Sequence, residues 1–320
     1  MKNKLIIGSS GQDGILLANL FEIEDTKIFT INKIGMYYQG QLLTPYEMIT
    51  SYNLSLIILE HEVEEIYFVA GDSKSSIQRL MGSLDENIFN SGSDIFLIIK
   101  LLDAITLIKS TIKFFFTSSS LIFAGTSVFP QKEDHRTYAL EKYAKNKLMI
   151  SNLLREYEIK NQRKFKLYIG IMYNHESIYR KKDFFTRIVI EHALDCYKNK
   201  KKYETMKVKY PQDIIDMSYA KDFMINAINL LSIGEPGDYI FSSGTGIKAI
   251  DFVKEVFNYL NLDYAKHIDA DLVTCKERIS PILIGNNSKL KKALGDRYAF
   301  SSNKLSYRLT RDWLNHYGYD

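Results

Sequence analysis

The stretch GSSGQDG, Gly8 to Gly14, follows the short apolar run KLII and opens into ILLANLF. A strand that enters a glycine-rich turn and leaves as a helix restricts the fold more than any other feature of the chain. In that context one glycine permits the tight turn and another lets a diphosphate approach the backbone. The helix N-terminus then supplies unpaired N–H groups and the positive end of a dipole. The spacing, Gly8, Gly11 and Gly14, is G-x-x-G-x-x-G rather than the G-x-G-x-x-G dinucleotide fingerprint.

Such a unit needs partner strands, and the next 160 or so residues alternate short β-like runs with helical stretches. Strands are expected at Lys4 to Gly8, Lys27 to Asn32, Glu65 to Ala70, Lys113 to Ser118 and Phe165 to Tyr173. Helices are expected between them, for instance over Asp94 to Ile108 and Tyr143 to Tyr157. Strands this rich in β-branched and aromatic residues are too apolar for one-sided burial, so the sheet should be parallel and covered on both faces. After Asn174 the pattern loosens into a basic helical region (Asp183 to Lys202), a strand (Tyr239 to Ser243) and a helix (Ile247 to Leu260). With no repeat and no long linker, a second unit must interleave with the first. The expected fold is α/β: a doubly wound Rossmann sheet with a smaller C-terminal substrate domain. Residues 1–173 with about 213–246 form the dinucleotide-binding part, and 174–212 with 247–320 the substrate part.

Composition narrows the class further. A chain of 320 residues, 46% of them hydrophobic, can bury a full core. No apolar run reaches the roughly 18 residues of a membrane span. The apolar run near the N-terminus is short and joins the glycines, so it reads as a first strand rather than a signal peptide. Cys196 and Cys275 make neither a metal-ligand spacing nor a disulfide framework, which fits a reducing, cytoplasmic setting and no metal site. The net charge of +4 is modest, and KNKKK (Lys198 to Lys202) is the one dense basic run. It reads as a solvated helix end or a neighbour of a phosphorylated substrate, without a recognition motif for nucleic acid.

Cofactor choice should be written at the end of the second strand, where a carboxylate would hold the ribose of NAD and a cation the extra phosphate of NADP. Asn32 and Lys33 stand there, so NAD or NADP is expected, with a lean to NADP. Further along, TSSS (Thr117 to Ser120) ends a strand, and YAKNK places Tyr143 and Lys147 four residues apart on one helical face. The lysine charge would favour the phenolate and fit the tyrosine for proton exchange with a sugar hydroxyl, a serine hydroxyl sharing that proton. Tyr138 and Lys142 repeat the spacing as a decoy.

In the order of glycine loop, serine strand and Tyr/Lys helix, the chain resembles an extended short-chain dehydrogenase/reductase acting on nucleotide sugars, and is most similar to the GDP-mannose 4,6-dehydratases. The glycine spacing, the Gln12-Asp13 pair, EIYFVAGDS, LLDAI, PQKE (Pro130 to Glu133) and YAKDF (Tyr219 to Phe223) carry the likeness. The most specific segment is NHESIYRKKDFFTR, Asn174 to Arg187. The resemblance favours Tyr143 over Tyr138 and implies Tyr143, Lys147 and Ser119 as catalytic residues. It implies Gly8, Gly11, Gln12, Asp13 and Gly14 as cofactor ligands, with Asn32 and Lys33. Ser120, Asn174, Glu176, Arg180, Arg187 and Arg278 are the implied substrate ligands, and the assembly a homo-oligomer, dimer or tetramer.

Two departures carry more weight than the matches. The dehydratases follow a hydroxyl residue and a serine with a glutamate, the acid/base for elimination; here Ser119 and Ser120 are followed by Leu121. General acid–base help is worth roughly a hundred- to ten-thousandfold in rate, so its loss should cripple elimination and spare hydride transfer. Relatives also place a nucleotide-binding arginine where Ile215 precedes Asp216. The expected activity is therefore NAD(P)-dependent oxidation or reduction at carbon 4 of a nucleotide-activated sugar, a GDP-linked manno-hexose or manno-heptose, without dehydration. The alternatives are a dehydratase whose acid is Glu133 or Glu141, and a non-catalytic dinucleotide-binding subunit.

Overall fold

The computed structural model describes residues 3–22, 26–71, 88–162, 164–199, 205–269, 282–300 and 304–319. Arg278, Cys275 and the 200–202 end of the basic run lie outside them.

The sheet is the frame. Its strands are β1 (Asn3–Ile7), β2 (Ile28–Ile31), β3 (Gly35–Tyr38), β4 (Gln41–Pro45), β5 (Val63–Phe68), β6 (Ile112–Ser119), β7 (Phe165–Met172) and, far along the chain, β12 (Gly237–Phe241). Between β7 and β12 come the short strands β8 (Asn174–Glu176), β9 (Met206–Lys207), β10 (Ile214–Ile215) and β11 (Met217–Tyr219). β13 (Ile247–Lys248) and β14 (Ile268–Asp269) follow. The eight-stranded order is β12-β7-β6-β5-β1-β2-β3-β4. All pairings from β12 to β2 are parallel, as expected of a Rossmann sheet.

The antiparallel edge departs from the all-parallel sheet the sequence implies. β3 and β4 form a hairpin on β2, turning through Gln39 (φ 47°) and Gly40 (φ 79°). Two successive positive φ values make the tight turn whose twist matches the flanking strands.

The helices are α1 (Gln12–Glu22), α2 (Ser51–Glu60), α3 (Ile88–Thr106), α4 (Lys142–Lys160), α5 (Phe185–Asn199), α6 (Ala220–Ile233), α7 (Ala249–Tyr259), α8 (Ser288–Leu294) and α9 (Leu305–Tyr317). Alternate residues of each strand feed two separate cores, which is why the strands read as unbroken apolar runs. Leu5, Ile7, Phe114 and Phe116 pack with Leu54 of α2, Leu101 of α3 and Leu154 of α4. Ile6 and Phe115 face the other way, with Leu17 and Phe21 of α1, Phe223 of α6 and Leu290 of α8. A third cluster stands apart from the sheet, where Val189, Ile190, Phe252, Val253, Leu309 and Trp313 join α5, α7 and α9 into a smaller lobe.

Candidate active site

β1 is flanked by β2 on one side and β5 on the other, so the chain winds away from it in both directions. In open α/β sheets the crevice beyond the carboxyl ends of such strands is the ligand site. Gly8 sits there at φ +96°, donating its N–H to the Ile31 carbonyl at 2.8 Å. A Cβ on Gly8 would stand 2.6 Å from Ala70 N, in the loop after β5. One on Gly14 would stand 2.3 Å from the Gly8 carbonyl oxygen. Gly11 differs: a Cβ there would meet only the Gly8 oxygen, at an ordinary 3.4 Å. The protein's own packing demands Gly8 and Gly14, whereas a glycine at 11 leaves room in front of α1. The first intrahelical bond runs from Ile15 N to Gly11 O, so the N–H groups of Gln12, Asp13 and Gly14 precede the ladder. This cradle fits the diphosphate of a dinucleotide.

At the end of β2, Asn32 Oδ1 accepts from the N–H of Ile34 (2.8 Å) and of Gly35 (3.3 Å), closing the turn into β3, and Lys33 is exposed beside it.

Tyr143 and Lys147 lie in the first two turns of α4. Lys147 is 3% exposed, and its ammonium donates to the Ala70 carbonyl at 2.7 Å, 4.8 Å from the centre of the Phe116 ring and 6.0 Å from that of Tyr143. Gly71 is pressed against both: a Cβ there would stand 2.9 Å from Lys147 Nζ and 3.6 Å from Tyr143 Cε2. Burial pushes the Lys147 ammonium down to about 8, with the carboxylates of Asp94 and Asp13 acting in the other direction. Tyr138 precedes the helix and is exposed, so it shares no helical face with Lys142.

Ser119 ends β6 and accepts the Leu121 N–H on its Oγ at 3.3 Å. Ser120 is buried at the start of the following 3-10 turn, which contains the half-buried Leu121. Of the two other glutamates considered as acids, Glu133 accepts the Ile240 N–H of β12 at 2.9 Å, and Glu141 stands just before α4.

The segment from Asn174 runs along β8, which pairs with β11. Asn174 Nδ2 reaches the Asp216 carbonyl at 3.4 Å. Glu176 is buried, accepting from Thr186 Oγ1 at 2.6 Å with Arg180 Nε at 3.2 Å. The Arg180 guanidinium lies 3.7 Å over the Phe184 ring. Arg187 donates to Glu191 (2.9 Å) and to the Arg180 carbonyl (2.5 Å), and stacks 4.8 Å over Trp313. Glu176 and Arg187 therefore hold the lobe's own packing.

Three residues the sequence did not single out complete the site. His175 Nε2 stands 3.0 and 3.1 Å from the two carboxylate oxygens of Asp13, and its Nδ1 2.7 Å from the Tyr173 carbonyl. Ser177 donates to Gln12 Oε1 at 2.9 Å, while Gln12 Nε2 donates to the His175 carbonyl at 2.9 Å. Asp216, fully buried, accepts from Ser243 N (2.8 Å) and Oγ (2.7 Å), Gly244 N (3.3 Å) and Gly285 N (3.1 Å). Both His175 and Ser177 lie inside NHES, so the motif held the signal, but not its direction. A cavity of about 470 Å³ opens beside α1, between Leu16, Ser177, Tyr179, Tyr219 and His316. Among the described residues no cluster of side chains could hold a metal ion, and no helix is long and apolar enough to cross a membrane.

The GDP-mannose 4,6 dehydratase family model matches residues 5–308. A GDP-mannose 4,6-dehydratase of Sinorhizobium fredii (strain HH103) is 24% identical over 355 residues, covering 98% of this chain and 97% of that protein. RMD from Pseudomonas aeruginosa, solved with NADPH, superposes with a TM-score of 0.76 at 17% identity, over 99% of each chain. The dTDP-glucose 4,6-dehydratase of Bacillus anthracis str. Ames, solved with NAD, gives 0.69 at 14% identity, over 99% of this chain and 97% of that one.

Proposed function

Since the chain belongs to the GDP-mannose 4,6 dehydratase family, we propose that it oxidises or reduces carbon 4 of a nucleotide-activated sugar with NAD or NADP, and does not dehydrate it. The sugar is a GDP-linked manno-hexose or manno-heptose. Leu121 carries this reading: the position after Ser119 and Ser120 has no proton to exchange.

The N–H groups at the start of α1 hold the cofactor diphosphate, with Gly11 leaving the approach open, and Asn32 and Lys33 border the adenosine ribose. The bound nicotinamide supplies the hydride donor or acceptor. Tyr143 exchanges the proton of the sugar hydroxyl and Ser119 hydrogen-bonds the same oxygen. Lys147 holds the nicotinamide ribose and biases Tyr143 toward the phenolate; with its own pKa lowered to about 8, it gives up its proton near neutral pH more readily than an exposed lysine. Ser120, Asn174 and Arg180 border the sugar nucleotide. Arg278, outside the described residues, remains a proposed diphosphate partner, since a guanidinium fork matches phosphate oxygens. The working protein is a cytoplasmic homo-oligomer.

Family membership favours a second reading, a dehydratase with a relocated acid. Glu133 is the weaker choice because its carboxylate already accepts the Ile240 N–H. Incubation with GDP-mannose or a GDP-heptose and NAD(P), followed by mass spectrometry, separates the two. A product two mass units lighter supports oxidation; one eighteen units lighter overturns the proposal in favour of dehydration.

A further inference from the structure

We propose that Asp13 and His175 are a positioning pair: from the side of the substrate lobe they set the glycine turn for nucleotide binding. This rests on the cofactor reading above, and gives Gln12 and Asp13 a role other than touching the cofactor with their side chains.

Gln12 and Asp13 immediately follow Gly11 and form the first turn of α1. Both side chains cross to the segment 175–177: Gln12 to the His175 carbonyl and the Ser177 hydroxyl, Asp13 to the His175 ring. That segment is itself fixed, since His175 pairs with Ser218 of β11 and its ring packs 5.3 Å from the ring of Phe223 on α6. The turn that would cradle the diphosphate is thus braced against the same residues that border the sugar lobe.

The brace depends on one proton. His175 Nδ1 faces the Tyr173 carbonyl and Nε2 faces the Asp13 carboxylate, two acceptors. A neutral imidazole carries one N–H and can serve one of them; the imidazolium serves both. The charges around it are Asp13 from α1 and Arg180 from the turn after β8, which is paired with Glu176, while Lys147 of α4 adds its field on Asp13. Burial works against charge on both partners. Even so, the attraction and hydrogen bond between them hold His175 above the ordinary histidine range and Asp13 below the ordinary carboxylate range, with Arg180 opposing the first and aiding the second. When His175 loses its proton, one of the two contacts goes and the glycine turn loosens.

The test combines two measurements on the full chain. Carbon-13 labelling of the histidine rings gives the His175 titration, identified by its absence in His175→Gln. It should lie above the ordinary histidine range and move down in Asp13→Asn. Calorimetry with ADP-ribose, which carries the diphosphate without the nicotinamide, gives affinity from pH 6 to 9. Wild type should bind about tenfold tighter than His175→Gln at the acid end, the size expected for one hydrogen bond to a charged group, and the ratio should close toward one at the alkaline end. Lys147 is present in both proteins, so its titration cancels. A ratio that is constant with pH, or a His175 titration unmoved by Asp13→Asn, overturns the pair and leaves the cofactor reading standing. Failure of wild type to bind ADP-ribose, NAD or NADP at any pH overturns both.

Discussion

Lys4 and Lys147 are both buried against the central sheet, one near the start of β1 and the other over the loop that follows β5. The first is matched: its ammonium meets Glu65 at 2.7 Å, and the same carboxylate oxygen accepts the Tyr67 hydroxyl at 2.9 Å. The second donates to a neutral carbonyl, that of Ala70, and burial lowers its pKa to about 8. At the amino end of the strands the fold neutralises the charge it buries. At the carboxyl end it leaves a lysine whose charge is costly, the kind of perturbed group that clusters at functional sites. The contrast points to the carboxyl end as the candidate working end of the sheet.

Breaking the working lysine should have the largest effect. Lys147→Met, like Tyr143→Phe, should lower turnover by roughly a hundred- to ten-thousandfold, the worth of positioned proton transfer. Steady-state rates on the sugar nucleotide found by mass spectrometry check this, and undiminished turnover in Tyr143→Phe would refute that choice of tyrosine. Breaking the matched lysine should instead cost stability. Lys4→Met strands the Glu65 carboxylate and should destabilise by about 3–5 kcal/mol, whereas Lys4→Met with Glu65→Leu should recover most of the loss in urea unfolding.

The pH dependence of stability sharpens the contrast. Lys147 has a folded pKa near 8 against an ordinary 10.5, so between those values the unfolded chain holds a proton that the folded one has shed. Its burial penalty is therefore present in full below pH 8 and is relieved as pH rises from 8 to 10.5. Lys147→Met should be more stable than wild type at pH 7, by up to about 3 kcal/mol, and the advantage should shrink across that window. The smallest effect is expected from Leu121→Glu, which places a carboxyl after Ser120: a trace of product eighteen mass units lighter, seen by mass spectrometry.

Much of the frame was legible because it rests on local patterns. The strand positions, the parallel sheet and the Gly8 turn follow from periodicity and glycine placement, and the structure has them. The β3–β4 hairpin escaped notice because its signal is two residues, Gln39-Gly40, in strands exposing Leu42 and Leu43. Helix α6 spans AKDFMINAINLLSI, and its first turn falls inside the YAKDF motif, where the apolar period is not yet visible. The brace at the glycine loop was illegible for a different reason. Gln12 and Ser177 are 165 residues apart, and no local pattern says which side of a motif a side chain will face. Gln12-Asp13 and NHES were each visible; their partnership was a property of the fold.

Asp216 adds a consequence for how such a protein can change. Its carboxylate gathers Ser243, Gly244 and Gly285, and three of its four bonds come from backbone amides. Backbone donors survive the exchange of almost any side chain. The pin that joins these loops therefore holds whichever residue stands next to it, and Ile215 can be exchanged without unfastening the lobe. Specificity at this seam can be rewritten one residue at a time while the joint stays shut.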